Sequence, residues 1–344
     1  MRIAIVAPPW VAVPPPAYGG TEAVLDSLAR GLSSCGHEVL LYTTGDSTCD
    51  VPKAWIYDEA VGVGRGGVAS EFRHVIHAYD LIQEFDVVHD HTLVGPIYAE
   101  RYPKLPIVTT NHGPFKSDLG DIYRIIAEKA LLVAISHHQA SLAQGTRIAA
   151  VIHHGVDPDR FPVGDGDGGY ALFLGRMSPD KGAHIAAKVA KEAGIPLLIA
   201  AKMNEQAEFA YFETMVKPLL GDGVEYVGEV GGSVKYDLLA RAACLLNPMT
   251  WSEPFGMVMI EAMACGTPVI ATPRGAAPEI LEEGVTGFMR SDETALVSVL
   301  SRVGELSRSA CRLSVENHFS AQRMVDDHLV IYAQAIAEKT LVES

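Results

Sequence analysis

The first half of the chain alternates short apolar runs with segments whose apolar residues recur at helical spacing. The apolar runs predict buried strands and are RIAIVA at 2–7, EVLLYT at 38–43, DVVHDH at 86–91, PIVTTNH at 106–112, ALLVAIS at 130–136 and AAVIHHG at 149–155. Between the first two, TEAVLDSLARGLSSCG predicts a helix that ends at Gly36. Strands that alternate with helices indicate a parallel sheet with crossover helices.

The same alternation restarts in the second half. ALFLG, PLLIAA, VEYVG, CLLNP and TPVIAT predict a second set of buried strands, separated by helical stretches such as AHIAAKVAKEAG and KYDLLARAA. The fold class is therefore α/β, with two Rossmann-like parallel-sheet domains that face each other across a cleft. We place them at residues 1–156 and 157–321. The Gly- and Asp-rich segment 164–169 is the best linker candidate, and the amphipathic helix 322–344 closes the second domain or packs back on the first.

Composition supports the division into two domains and narrows the class of protein. With 344 residues the chain exceeds the size of one ordinary hydrophobic core. Its longest apolar runs are too short to span a bilayer, and residues 2–7 read as a core strand rather than a signal peptide. The five cysteines show no C-x-x-C spacing, which argues against structural zinc and for a reducing, cytoplasmic location, with the thiols as buried packing residues.

The formal net charge of -15 bears on possible partners. It argues against nucleic acid as a partner, because phosphate backbones are bound by clustered Lys and Arg. The same charge weighs against electrostatic docking on anionic lipid, although peripheral membrane contact stays open, as does the oligomeric state. A phosphate ligand would need a local basic pocket, so well-placed cations become informative.

The block EPFGMVMIE at residues 253–261 is the most informative motif. Pro254 and Gly256 mark a turn into a helix, so the N–H groups of Phe255, Gly256, Met257 and Val258 predict an anion site at a helix N-terminus. In a helix Glu253 and Glu261 lie about 12 Å apart along the axis, beyond the roughly 5 Å of a retaining glycosidase pair. They are not a dyad; we expect them to hold two ends of one ligand with a diphosphate between them.

Two cations occur where the second set of strands begins. GRMSPDKG follows ALFLG and places Arg176 and Lys181 on a loop that enters a helix, where both can converge on phosphate oxygens. The alternative is a solvated loop with two routine surface cations.

The loop after the first strand, PPWVAVPPPAYGGTE, lacks the G-x-G-x-x-G fingerprint of dinucleotide-binding domains. Gly19 and Gly20, followed by Thr21 as a candidate N-cap, permit close backbone approach to an anion. A simple turn into a helix explains the same residues.

Histidines number 13, so any single one is more often structural than catalytic. His89 and His91 alternate at a strand end and could ligate a metal with Asp90, but the spacing suggests no third ligand, and we expect no metal. His112 follows a strand and precedes a glycine and a proline, a position suited to a side chain that lines the cleft.

Together these motifs resemble the GT4 family of retaining, nucleotide-sugar-dependent glycosyltransferases of GT-B architecture. The family's order matches E-x7-E at Glu253 to Glu261, GR-x4-KG at 175–182, NHG at 111–113, the early Gly19-Gly20 and HGVD at 154–157. The resemblance covers nearly the whole chain and implies that the C-terminal helix crosses back onto the first domain.

The resemblance also implies roles for individual residues. Arg176 and Lys181 bind the donor diphosphate, Glu261 hydrogen-bonds the ribose hydroxyls, and Glu253 with the backbone of 255–258 holds the transferred sugar and phosphate. His112 contacts that sugar across the cleft. The loop GEVGG meets the nucleobase through backbone groups near Val230, so the base is not encoded in side chains; a UDP-sugar is favoured and a GDP-sugar is possible.

The expected reaction is transfer of a sugar to a hydroxyl acceptor with retention and without a required metal or other cofactor, in glycan, glycolipid or glycoside biosynthesis. The acceptor approaches on the leaving-group face and its proton passes to a phosphate oxygen. Glu253 as a covalent nucleophile is disfavoured because no second carboxylate is suggested beside it. One departure from the family is His154, where relatives often have asparagine; it belongs to the hinge and bears on interdomain geometry.

Other functions stay open on the residues alone. A non-catalytic nucleotide-sugar-binding protein would keep the phosphate and ribose contacts, and a GT-B phosphorylase or an epimerase could share the layout. A dehydrogenase is disfavoured by the missing glycine fingerprint. The acceptor is not encoded, because its side is built from first-domain loops around Tyr18, His89 and Lys116.

Overall fold

The computed structural model describes residues 1–62 and 67–343, and the chain divides into two compact units. The first unit comprises Met1–Gly155 with Ala321–Ser344, and the second comprises Val156–Ser320. The strands are β1 (Arg2–Val6), β2 (Glu38–Thr43), β3 (Lys53–Trp55), β4 (Val87–Asp90), β5 (Ile107–Thr110), β6 (Leu131–Ala134), β7 (Ala150–Val151), β8 (Ala171–Arg176), β9 (Leu197–Lys202), β10 (Val224–Gly228), β11 (Cys244–Asn247), β12 (Val269–Ala271) and β13 (Gly287–Met289).

The α-helices are α1 (Gly20–Ser34), α2 (Val68–Leu81), α3 (Gly95–Tyr98), α4 (Ser117–Ile126), α5 (His137–Ser141), α6 (Ala183–Ala193), α7 (Gln206–Tyr211), α8 (Gly232–Arg241), α9 (Met257–Ala264), α10 (Ala277–Ile280), α11 (Glu293–Leu300), α12 (Arg308–His318) and α13 (Ala321–Glu343).

The first unit is built on a parallel sheet with strand order β3-β2-β1-β4-β5-β6-β7. Its central strands are buried along their length apart from Arg2 at the start of β1, as expected where helices cover both faces of a parallel sheet. The order reverses between β1 and β4, so the loops that follow these two strands diverge and leave a crevice at the carboxyl edge. β3 was not predicted, because KAW at the sheet edge is only partly buried and too short to show an apolar period.

Helix α1 begins at Gly20, two residues earlier than an N-cap at Thr21 would place its start. Gly19, in extended conformation, is its N-cap, and Thr21 lies inside the first turn, so the predicted N-cap role of Thr21 is wrong. A Cβ on Gly19 would lie 2.7 Å from Cβ of Pro15 and 2.8 Å from Oε2 of Glu22, which explains why glycine occupies this position.

The C-terminal helix α13 lies in the first unit, where it contacts α1, β4 and β5. The close approach depends on Gly31, because a Cβ there would lie 2.5 Å from Cγ2 of Val325. Buried Tyr332 on this helix hydrogen-bonds His89 on β4 at 2.7 Å. Helix α13 therefore packs against β4 and β5 as part of the first unit.

The second unit repeats the architecture with six parallel strands in the order β10-β9-β8-β11-β12-β13. Helix α6 packs on β8, β9 and β10 through a small-residue face that includes Ala183, Ala186 and Ala190. The reversal of order falls between β8 and β11, so the switch-point crevice lies at the carboxyl ends of these two strands.

The segment 164–169 is not a linker, which corrects the sequence interpretation. It lies inside the second unit, where the guanidinium of Arg308 donates to the carbonyls of Gly164 at 2.6 Å and Ala242 at 3.0 Å. A Cβ on Gly164 would lie 2.2 Å from the carbonyl oxygen of Ala240. The glycines permit close backbone packing here, and the composition that resembled a linker has this steric cause.

Four of the five cysteines are buried as predicted, and Cys35 is the exception, since it is exposed after the end of α1. Across residues 1–62 and 67–343, no helix combines the length and apolar character that a bilayer crossing requires.

Candidate active site

The predicted donor residues of the second unit cluster on the loops that leave β8 and β11. Arg176 is the last residue of β8, and Lys181 lies on the following loop into α6. Glu253 lies on the loop from β11 to α9. Because β8 and β11 are neighbours at the switch point, their carboxyl ends bring these loops to the same edge.

Lys181 and Glu253 are in direct contact. The Lys181 ammonium forms an ion pair with Oε2 of Glu253, and the side chains are only 14% and 15% exposed. The indole N–H of Trp251 donates to the same carboxylate oxygen at 2.9 Å, and the Lys181 ammonium lies 5.3 Å from the Trp251 ring centroid. Sequence reasoning missed Trp251, although it stands two residues before the motif.

The backbone of Glu253 is held by the turn that follows β12. Gly275 has φ +60, and a Cβ there would lie 2.1 Å from the carbonyl oxygen and 2.4 Å from the amide nitrogen of Glu253. The Ala276 N–H donates to that carbonyl at 3.0 Å. These contacts fix the position of the Glu253 backbone.

Arg176 is positioned by acidic side chains on two elements. Its guanidinium lies 3.5 Å from the Asp180 carboxylate and 3.8 Å from Oε1 of Glu208. Glu208 is buried, and its other oxygen accepts the N–H groups of Asn204 and Glu205 at the start of α7. Glu208 carries no motif signal, and sequence reasoning did not find it.

The predicted anion site maps to the start of α9. The helix begins at Met257 with Gly256 as N-cap at φ +105, a left-handed conformation that favours glycine. Helix geometry gives the N–H groups of Met257 and Val258 no acceptor inside the helix, so they can serve an anion. Phe255 is buried and packs near Phe319, so its side chain anchors the turn before α9.

Glu261 lies on α9 and has a partner that the sequence did not reveal. The Lys235 ammonium, on α8, donates to Oε1 of Glu261 at 2.8 Å, and both side chains are largely buried. Burial alone would lower the pKa of Lys235, but the ion pair with Glu261 outweighs it and the pKa is raised. The second unit therefore pairs each acid of the motif with its own lysine.

Val230, the predicted nucleobase contact, is partly buried on the loop between β10 and α8, five residues before Lys235. In the first unit, Gly19 is partly buried and Gly20 is exposed at the start of α1.

His112 follows β5 on a loop that is held by α5. The Gln139 amide donates to the carbonyls of Asn111 at 2.8 Å and Gly113 at 2.7 Å, and its oxygen accepts the Ile135 N–H. Gln139 thus ties the ends of β5 and β6 together across the loop. Sequence reasoning missed it because the contact joins residues 28 positions apart.

His89, Asp90 and His91 do not form a metal site. Both ring nitrogens of His89 are hydrogen-bonded, to Tyr332 and to Thr110, and the side chain is fully buried. Asp90 accepts hydrogen bonds from Tyr79 and Thr92 instead.

Two units with doubly wound parallel sheets, each with its candidate residues at the switch-point edge, are the architecture of GT-B glycosyltransferases. The model of "Glycosyl transferases group 1" matches residues 158–307, and that of "Glycosyltransferase Family 4" matches residues 18–160. The D-inositol 3-phosphate glycosyltransferase of Mycobacterium bovis (strain BCG) is 30% identical, with 93% of this chain and 80% of the relative covered. The chain belongs to the GT4 family of glycosyltransferases.

Solved structures agree over the full length. AviGT4, a glycosyltransferase involved in avilamycin A biosynthesis, is 26% identical with a TM-score of 0.73, and 98% of each chain is covered. Anabaena HepE, solved with UDP and glucose, shares the fold at a TM-score of 0.76 and 19% identity over 97% of this chain and 99% of its own. The predicted fold class and enzyme class are confirmed: the protein is a GT-B glycosyltransferase.

Proposed function

We propose that the protein transfers a sugar from a nucleoside-diphosphate-sugar to a hydroxyl acceptor with retention at the anomeric carbon, and that no metal ion takes part. The observation that carries the site assignment is the contact between Lys181 and Glu253, which joins the loops after β8 and β11 beside the start of α9. Cations and helix N–H groups stabilise the negative charge that develops on a departing diphosphate.

We assign the donor to the second unit because its cations, N–H groups at a helix start and carboxylates suit the parts of a nucleoside-diphosphate-sugar. Arg176 and Lys181 meet the diphosphate, Met257 and Val258 offer N–H groups, and Glu261 accepts the ribose hydroxyls. Backbone groups near Val230 meet the base, for which UDP is the first candidate and GDP the second. Glu253 binds the transferred sugar once the diphosphate competes for Lys181.

We assign the first unit a part in binding the sugar and the acceptor. Gly19 and Gly20 approach the donor phosphate through their backbone, and His112 contacts the transferred sugar. The acceptor hydroxyl passes its proton to a phosphate oxygen as the glycosidic bond forms and the bond to the diphosphate breaks. This mechanism requires no covalent sugar ester on Glu253.

Turnover of the donor tests the role of the cations. Arg176→Ala and Lys181→Ala are each expected to lower the rate of donor hydrolysis or transfer about a hundredfold, since removing one group that stabilises transition-state charge costs about 2.7 to 4 kcal/mol. Lys191→Ala is the matched control, because this lysine lies at the far end of α6 and forms an ion pair with exposed Asp222. Full activity of Lys181→Ala would contradict the assignment.

Product analysis tests the stereochemistry and the metal independence. The anomeric configuration of the product, read by nuclear magnetic resonance, is expected to match that of the donor, and the rate is expected to survive a chelator. An inverted product, or activity that disappears with the chelator and returns with a divalent cation, would overturn these two points.

A further inference from the structure

Three histidines of the first unit form a continuous hydrogen-bonded row. Nδ1 of His91 lies 2.9 Å from Nε2 of His112, and Nδ1 of His112 lies 3.3 Å from Nε2 of His154. The three rings come from the ends of β4 and β5 and from the segment after β7. Both ring nitrogens of His112, the proposed sugar contact, are therefore hydrogen-bonded to other histidines.

The ring of His91 is held in place by its surroundings. It is buried, and its centroid lies 3.9 Å from that of His89. His89 is itself fixed by the Tyr332 hydroxyl at 2.7 Å and the Thr110 hydroxyl at 2.8 Å. The His91 ring therefore presents Nδ1 to His112 in one defined orientation.

Burial sets the charge of the row. It lowers the pKa of His112 to about 4 and lowers the pKa of His91 and His154 well below the ordinary value of 6.5, with the neighbouring histidines acting in the same direction. All three rings are neutral at pH 7, so each carries one N–H.

The second ring nitrogen of His91, Nε2, decides in which direction the hydrogen bonds of the row run. Nε2 of His91 is buried and makes no hydrogen bond with any residue in 1–62 or 67–343. If His112 donated to His91, the His91 proton would stand on Nε2 as a buried N–H without an acceptor. Orphaned buried N–H groups are rarer than unsatisfied acceptors, so the proton of His91 belongs on Nδ1 and points to His112.

We propose that His91 is a positioning residue of the transferase: it donates its Nδ1 proton to Nε2 of His112 and so fixes His112 as an Nδ1–H donor toward a hydroxyl oxygen of the transferred sugar. The proposal rests on the proposed function for its ligand. At 3.3 Å the bond from His112 to His154 is the longer of the two, and it is the one that the sugar hydroxyl replaces.

A proton relay along the row is a different reading of the same contacts. Such a relay needs an exit for the proton beyond His91. Among the described residues the row ends at His91 Nε2, which has no hydrogen-bond partner. The row therefore orients a tautomer and does not conduct a proton.

The tautomer is measured directly on the wild-type protein. A long-range proton–nitrogen correlation spectrum of protein with isotope-labelled histidine is expected to show His112 protonated at Nδ1 and bare at Nε2. Adding the nucleotide-sugar shifts the Nδ1 resonance of His112, while the free nucleoside diphosphate leaves it in place. An Nε2-protonated His112 in the wild type would overturn the proposal.

Kinetics of two substitutions at one position test the same claim. In His91→Ala the turnover of donor is expected to fall about tenfold, the factor for one lost neutral hydrogen bond. In His91→Asn the side-chain amide nitrogen stands where Nδ1 stood, and activity is expected within about threefold of wild type. Affinity for the free nucleoside diphosphate stays unchanged in both, because its assigned contacts, in the second unit and at the backbone of Gly19 and Gly20, do not include the histidine row.

The outcomes separate this inference from the proposed function. A purely structural role for His91 would move thermal stability and activity together, and would not shift the His112 tautomer in His91→Ala; that result overturns the positioning role. A wild-type protein that binds no nucleoside diphosphate would overturn the proposed function and the sugar contact with it, whatever the tautomer.

Discussion

At the scale of single residues, each of the two glutamates that bracket the 253–261 motif forms an ion pair with a lysine. Glu253 is held by Lys181 and Trp251, and Glu261 is held by Lys235. An anionic donor adds negative charge beside two carboxylates, and the lysines offset that repulsion. The pairing would let a strongly acidic chain form the proposed diphosphate site.

The ribose contact is expected to affect binding more than chemistry. Glu261→Ala should raise the donor KM with little change in kcat, because ribose contacts change little during the reaction. Lys235→Ala should raise the same KM, since Glu261 then loses the cation that orients it. Combining both substitutions tests the coupling, and the double variant is expected to be no worse than Glu261→Ala alone. Strictly additive losses in kcat/KM would show that the two residues act independently.

The sequence revealed the acids and the cations that carry the family's motif, but not their partners. Trp251, Lys235 and Gln139 have no spacing signal, because each meets its partner only through the fold. The row around His112 was hidden for the same reason: its members lie at positions 91, 112 and 154, and only the fold brings the ends of β4 and β5 together with the segment after β7.

At the scale of elements, one glycine turn sets the position of the β11–α9 loop. Gly275 has φ +60 and leaves no room for a Cβ against the Glu253 backbone, whereas Gly284 has φ +76 with nothing within 4 Å of its Cβ position. The two glycines share the left-handed strain but differ in steric contact.

Alanine substitutions at Gly275 and Gly284 separate the cost of left-handed backbone strain from the cost of displacing the Glu253 backbone. Gly284→Ala should cost only the left-handed strain of roughly 1–2 kcal/mol in unfolding free energy and keep activity. Gly275→Ala should cost more and lower activity as well, because the Glu253 backbone must move. Thermal melts and donor turnover check both variants, and equal effects of the two substitutions would contradict the positioning role of this turn.

Strands were predictable where burial on both sheet faces gave long apolar runs. β3 and β13 were missed because each has three residues at an edge of its sheet. The segment 164–169 was misread as a linker because composition cannot show that Arg308, 144 positions away from Gly164, binds its backbone.

At the scale of the whole molecule, buried histidines make the first unit sensitive to acid. Burial lowers the pKa of His74 and His328 to about 4, against 6.5 for an ordinary histidine. Between these values the unfolded chain binds more protons than the folded chain, so stability is intact above pH 6.5 and falls as the pH approaches 4. Asp90 opposes this, since burial raises its pKa to about 7 and its protonated folded form gains stability below that pH.

Burial raises the pKa of Glu71 in the same direction as that of Asp90, but the buried histidines of the first unit outnumber Asp90 and Glu71, so the effect of the histidines is expected to dominate. The first unit should lose thermal stability as the pH is lowered from 7 to 5, measured by calorimetry or by near-ultraviolet circular dichroism. Replacing His74 with Phe should flatten the dependence, because one fewer buried ring must be protonated on unfolding. A melting temperature that stays constant or rises over this range would contradict the assignment of neutral buried rings.

The central claim is that the carboxyl edge of the second sheet binds the donor diphosphate, and titration calorimetry with UDP, GDP, ADP and dTDP tests it most directly. Wild-type protein and Lys191→Ala are expected to bind one of these nucleotides with equal affinity. Lys181→Ala should bind it at least about tenfold more weakly, the factor for about 1.4 kcal/mol of lost charge-assisted contact. Equal affinity in Lys181→Ala, or no binding of any nucleotide to the wild type, would contradict the account.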